Sequence, residues 1–233
     1  MVYAYDLIKS GIQDYMLAGG ADGFSRVIYT GFSRLLSVAP EKCQPFSKNR
    51  KGMIPGEGAG MIFLESLESA QKRKAKIYAE ITGYGLSCDA NDMTEPSSVM
   101  IARAIQNSLM NSKVKFSDID YINAHGTGTK VNDKIETEAY KMVFKGGLKN
   151  IPVSSIKSML GHTMGASSAL EFIACALALD TSQIPPTMNY EEYDPECDIF
   201  CVPNKSINKK IKIVINNSQA FGGNNCCVTL EKI

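Results

Sequence analysis

The sequence contains no tryptophan and only two histidines among its 233 residues. It has no C-x-x-C pair, and its seven cysteines, Cys43, Cys88, Cys175, Cys197, Cys201, Cys226 and Cys227, are odd in number. These features argue against a disulfide framework and predict reduced, mostly buried thiols in a cytoplasmic protein. A charge excess is also lacking. The net charge is +1 with 21% charged residues, which gives no footing for nucleic acid or a membrane surface as partner. No apolar run reads as long enough to cross a bilayer. The opening MVYAYDLIKSG lacks the basic-then-apolar order of a signal peptide. Internal repeats and low-complexity stretches are absent.

What is present is a chain that is 44% hydrophobic, enough for a sizeable core. Strand-like and helix-like segments alternate along it. Residues 2–10 read as the tail of a helix, 14–22 as a buried strand ending in a glycine turn, and 53–75 as a glycine-rich strand pair that becomes a basic helix. A strand is predicted over 76–89, helices over 97–111, 132–144 and 165–180, and a terminal hairpin around Gly222 and Gly223. The helix at 165–180 is apolar nearly all round and is therefore expected to be buried. The alternation predicts an α/β layered fold. A boundary is expected near residue 75, where the basic helix ends and a strand begins.

Three segments share one design, a strand that ends in a loop of small residues carrying a polar group. They are NAHGTGT (123–129), SIKSMLGHTMGAS (155–167) and NSQAFGGNN (217–225). Small residues at strand ends let backbone and side chains converge on a substrate. Both histidines of the chain, His125 and His162, fall in these loops, with Lys157 beside the second. Two imidazoles and one ammonium offer a place for negative charge to develop, as in an enolate or a tetrahedral oxyanion.

HGTGT, K-x-x-x-G-H-x-x-G-A-S and F-G-G-x-N, together with GEGAGMIFLESLESAQKRKAKIYAEITGYGLSCDAN, resemble the β-ketoacyl-ACP synthases of the thiolase superfamily over essentially the whole chain. The resemblance implies a thiolase-like layered α-β-α-β-α sandwich. It implies a decarboxylative Claisen condensation of an acyl thioester, held on a cysteine, with malonyl-ACP in fatty-acid or polyketide synthesis. His125 and His162 match the histidines that donate hydrogen bonds to the malonyl thioester carbonyl. Lys157 matches the lysine that holds the second-histidine loop, and Glu136 a carboxylate paired with that lysine network. Thr127 and Thr129 match the threonines that bind the pantetheine arm, or else make the loop's own turn hydrogen bonds. Phe221 matches a gating aromatic followed by Gly222, or else fills the core. Asn123, Glu171, Asn216 and Asn217 fall where some members hold a structural monovalent cation. No organic cofactor is implied. The implied partners are acyl carrier protein with its phosphopantetheine and, in the full-length form, a second subunit in a homodimer or heterodimer. Arg34 resembles a carrier-docking residue, whereas Lys72, Arg73, Lys74 and Lys76 read as a solvated helix face.

The sequence departs from the family in two places. The family's nucleophile sits in a run like T-A-C-A-S-G at a helix N-terminus, where the dipole stabilises a thiolate. Met1 falls a few residues after that point, and none of the seven cysteines lies in a comparable turn. The expectation is a chain without the nucleophile, with residues 1–75 the remnant of the N-terminal half and 76–233 the complete C-terminal half. Gln219 and Ala220 also stand where the family reads Phe-Gly, which bears on acyl-pocket shape. The competing readings are a truncated condensing enzyme, a non-catalytic partner like a chain-length factor, a thiolase, and an inactive fragment. Both histidines oppose the second, and HGTGT opposes the third.

Overall fold

The computed structural model describes residues 1–233. The chain runs α1 (Val2–Lys9), β1 (Tyr15–Asp22), α2 (Arg26–Arg34), β2 (Gly58–Glu65), α3 (Leu67–Lys72), β3 (Glu80–Cys88), α4 (Ser98–Ser112), β4 (Tyr121–Asn123), α5 (Lys130–Phe144) and β5 (Pro152–Ser154). It continues through α6 (Lys157–Leu160), α7 (Ser167–Thr181), β6 (Gln183–Ile184), β7 (Phe200–Cys201), β8 (Ile207–Asn208), β9 (Ile213–Ala220) and β10 (Asn224–Glu231). The expected helices and strands are present with ends shifted by a few residues, except that the strand pair expected at the start of 53–75 is a single strand, β2, which pairs with β1.

The main sheet has six strands in the order β3-β10-β9-β4-β5-β7. β10 is antiparallel to both of its neighbours, and β9, β4, β5 and β7 run parallel. Alternation along each strand sends successive side chains to opposite faces. Ile122, Ile215 and Cys227 enter a core shared with Ile101, Ile105 and Leu109 of α4 and Tyr140 and Phe144 of α5. Their neighbours Tyr121, Val214 and Val228 enter a second core with Phe172, Cys175 and Leu179 of α7. Helices therefore cover both faces of the sheet. On β3, a Cβ at Gly85 would stand 2.0 Å from the Ala104 carbonyl oxygen, so glycine is what lets α4 lie directly on the strand.

β1 and β2 form a separate antiparallel pair. α7 packs between this pair and β9, and α1 lies in the same middle layer, joined to β3 by Tyr84 donating to Asp6. The layers are thus α4 and α5, the large sheet, α1 and α7, and the small sheet. That is four of the five layers expected, and the far face of the small sheet is bare. Tyr15, Leu17, Met61 and Phe63 are exposed there, so the strand at 14–22, expected to be buried, is half-buried on one face and exposed on the other. Residues 39–53 do not stay with the small sheet. Phe46 is fully buried in the α4–α5 core, and Arg50 is buried beside Asp133 and Asp194.

Contrary to the hydropathy expectation, residues 164–181 are long and apolar enough to span a membrane. They are mainly α7, packed between the sheets, where Glu171 is buried against Lys157.

Candidate active site

β4 and β5 are adjacent parallel strands, with Asn123 opposite Ser154 and, on the other side, opposite Asn216 of β9. Their carboxyl ends therefore deliver the three glycine-rich loops to one edge of the sheet, where α/β folds place their ligands. Gly126 has φ +41°, and a Cβ there would meet the Ser155 side chain at 2.5 Å. The Ser155 hydroxyl donates to the Gly126 carbonyl oxygen at 2.7 Å, tying the first two loops together.

His125 and His162 meet edge to face with ring centroids 5.4 Å apart. Both line a cavity of about 600 Å³ with Ser167, Glu171, Ser218 and Cys226. Lys157, buried, uses its ammonium on three groups. It donates to the His125 carbonyl oxygen at 2.6 Å, stands 3.3 Å from His125 Nδ1, and is paired with Glu171. An ammonium has only donors, so His125 Nδ1 is its acceptor and the ring proton sits on Nε2. The Met164 N–H donates to His162 Nδ1 at 3.2 Å, which fixes the same tautomer in the second ring. The Ser167 hydroxyl stands 3.0 Å from that Nδ1. Burial foremost, then the Lys157 charge, pushes His125 well below the usual imidazole range and His162 down to about 3. The outcome is a pair of neutral imidazoles, each with an Nε2–H left to donate.

Glu136 is not the lysine's partner. Its carboxylate accepts from the His125 and Gly126 amides, both at 2.8 Å, and from the Tyr140 hydroxyl at 2.7 Å. The reason is topological: α5, which carries Glu136, lies on one face of the sheet, and α7, which carries Glu171, on the other. Glu136 and Lys157 hold the same residue, His125, from its amide and its carbonyl. Burial raises Glu171, opposed by the lysine.

The other expected residues divide. The Thr127 and Thr129 hydroxyls bond each other at 2.9 Å, and Thr129 accepts from the Asn132 amide at the start of α5. Neither lines the cavity; they are used by the loop's own turns. Phe221 also stands outside the cavity wall, packed on Phe32 of α2 at 5.4 Å. Gly222, at φ +78°, makes the hairpin turn and gives its amide to the Met93 carbonyl oxygen. Arg34 is exposed on α2. Arg73 pairs with Glu65 and Lys76 with Asp180, in line with a solvated face.

The four residues expected around a cation are all engaged in hydrogen bonds. The Asn123 amide donates to Asn216 Oδ1 at 2.8 Å, Asn217 donates to Glu136, and Glu171 is committed to Lys157. Asn217 Oδ1 is buried without a hydrogen-bond partner.

Sequence reasoning missed Ser167, Glu171 in its true role, and two cysteines on the cavity wall, Cys88 and Cys226. Glu171 carried a readable signal, since a lone carboxylate amid the apolar run of α7 has to be paired when buried. Neither cavity cysteine stands at a helix N-terminus, and burial pushes the Cys226 thiol up to about 11. Cys43 is buried, raised to about 12 by burial, and donates to the Thr127 carbonyl oxygen.

Residues 78–191 match the pattern described as "Beta-ketoacyl synthase, C-terminal domain", and residues 1–70 match "Beta-ketoacyl synthase, N-terminal domain". Nodulation protein E of Rhizobium sp. (strain N33) is 44% identical over 231 residues, covering 99% of this chain and 58% of that protein. The 3-oxoacyl-[acyl-carrier-protein] synthase 2 of Synechocystis sp. is 40% identical over 238 residues, covering 98% of this chain and 57% of the relative. A solved structure, the ishigamide ketosynthase/chain length factor, superposes with a TM-score of 0.97 at 48% identity, over 99% of this chain and 57% of its own. The chain thus spans a little over half the length of the relatives it matches.

Proposed function

Since the chain belongs to the β-ketoacyl synthase family, we propose that it carries the enolate-forming site of a condensing enzyme that joins an acyl thioester to malonyl-ACP. One observation carries the reading: two neutral imidazoles, 5.4 Å apart, both accept at Nδ1 and both keep Nε2–H to donate. The malonyl thioester carbonyl lies between the two Nε2–H groups. Its C–COO⁻ bond breaks, carbon dioxide leaves, and the electron pair becomes an enolate whose oxygen the imidazoles stabilise. The enolate carbon then attacks the acyl thioester carbonyl and expels the thiolate that held the acyl group. No organic cofactor takes part.

The acyl-holding thiol is not assigned to any of the seven cysteines of this sequence. Burial holds Cys43 and Cys226 protonated, and Cys88 is the last residue of β3 and does not itself begin a helix. The positive N-terminus at the start of α1 acts on Cys226, a residue of the cavity wall, so we place the acyl-holding cysteine ahead of that helix, on the same side as the cavity. Acyl carrier protein, bearing the substrate on phosphopantetheine, is the proposed partner, as the name of the Synechocystis relative indicates for that enzyme. A dimeric partner subunit is proposed with it, and the cytoplasm as compartment. Both histidines and Lys157 favour a catalytic lineage over a chain-length-factor role.

The test is an assay of carbon dioxide release and 3-oxoacyl-ACP formation from acyl-ACP and malonyl-ACP. It is run with the chain alone and with an added family fragment bearing the helix-N-terminal cysteine. Condensation should need the fragment and be abolished by His162→Ala. Robust turnover by the chain alone, lost in Cys226→Ser or Cys88→Ser, would move the nucleophile into this sequence.

A further inference from the structure

Consecutive amides leave the His162 loop toward different acceptors. The Met164 N–H donates to His162 Nδ1 at 3.2 Å, and the Gly165 N–H donates to Asp22 Oδ2 at 3.0 Å. Met164 itself has φ 43°, in the left-handed region that a residue with a side chain adopts only where its surroundings impose it. Those surroundings are the end of β1. A Cβ on Gly20 would stand 2.3 Å from the Gly165 carbonyl oxygen, and one on Gly165 would stand 3.2 Å from Asp22 Oδ2. The backbones touch there, and the Asp22 carboxylate closes the contact.

We infer that Asp22 is a positioning residue for His162: by holding the Gly165 amide it fixes the turn that aims the Met164 N–H at Nδ1, and so commits the ring proton to Nε2. The other groups around the ring do not make that choice. The Ser167 hydroxyl, 3.0 Å from Nδ1, rotates and can donate or accept, and the Thr163 hydroxyl bonds Ser167 rather than the ring. A main-chain N–H can only donate, so it alone discriminates between tautomers. Asp22 does not touch the ring; it holds Gly165, a residue of the cavity wall, and acts through the backbone of the turn.

The inference leans on the proposed function only for the use made of Nε2–H; its test reads the ring itself. The tautomer of His162 is measured by long-range proton–nitrogen correlation on nitrogen-15-labelled protein near neutral pH. The native chain should show the Nε2–H form. Asp22→Ala should shift the tautomer ratio toward Nδ1–H by about tenfold, the scale of one lost hydrogen bond to a charged group. Asp22→Asn, whose amide oxygen still accepts, should restore the native signature. If Asp22→Ala does not fold, Asp22→Ser, too short to reach Gly165, is read in its place. A truncated variant with an unchanged ring, or an Asn variant no better than Ala, would overturn the assignment. A tautomer shift in a protein that never catalyses condensation would leave this assignment standing and remove the proposed reaction.

Discussion

The Lys157 ammonium grips a single residue twice, at the carbonyl oxygen of His125 (2.6 Å) and at its ring Nδ1 (3.3 Å), and spends its remaining reach on Glu171. Both partners of that ion pair are buried, so neither charge has water to fall back on. Removing one partner leaves the other charge uncompensated. Lys157→Met should cost roughly 3–5 kcal/mol in urea unfolding. The double variant Lys157→Met with Glu171→Leu should recover most of the loss. A single variant as stable as the double would show that the pair does not hold the fold.

The pH dependence has opposing parts with known signs. In the unfolded chain an imidazole takes up its proton as pH falls through about 6.5, whereas folded His162 waits until about 3. Over that window the unfolded state binds more protons, so stability falls as the solution is acidified. His125, also depressed, adds in the same direction. Asp133 works the other way. Burial raises it to about 6, so its folded form protonates first and the fold gains stability as pH drops toward about 4. Urea midpoints taken at about pH 7 and about pH 5 should show a smaller loss in His162→Asn than in the native chain, and a larger loss in Asp133→Asn. Identical slopes in all the proteins would refute the depressed histidine.

Thiol chemistry should follow exposure. Cys88 is exposed, whereas Cys43 and Cys227 are buried, with burial pushing Cys43 up to about 12. Iodoacetamide on the native protein should modify Cys88 first, and Cys43 and Cys227 only on unfolding, as read by peptide mass mapping. Rapid native labelling of Cys43 would contradict the buried, protonated thiol and reopen it as a nucleophile.

The bare face of the small sheet sets an expectation for behaviour in solution. Leu17 lies opposite Phe63 on that face, with Tyr15 and Met61 beside them, all exposed. Contiguous apolar surface of this kind promotes association. The isolated chain should bind a hydrophobic dye, and Leu17→Thr with Phe63→Lys should reduce both dye binding and aggregation while moving the urea midpoint little. Unchanged dye binding would place the sticky surface elsewhere.

His125, His162 and Lys157 were legible because each belongs to a motif in which glycines and a strand end leave little freedom of placement. The lysine's partner was not legible. Glu136 and Glu171 are both helix carboxylates near strand-end loops, and only the side of the sheet on which α5 and α7 pack decides which one meets the ammonium. Thr127 and Thr129 illustrate a different limit: a hydroxyl near a site can serve substrate or its own turn, and here the turn takes both. Asp22 lay beyond reach because its role is a contact between segments far apart in sequence, set by a meeting of backbones at Gly20 and Gly165. The layered architecture followed from alternation and the apolar α7, while the bare outer face depended on how many elements the chain supplies.

The strand order carries a consequence for how the protein is made. β3 finds its ladder partner only in β10, far along the chain, with Glu80 opposite Glu231. At ordinary elongation speeds of about 5–20 residues per second, β3 waits roughly seven to thirty seconds for that partner. During synthesis α4 can shield one flank of the waiting strand, but its hydrogen-bonding edge stays open. The large sheet therefore cannot be completed until β10 has been made, and until then the open edge of β3 is a site for chaperones to hold.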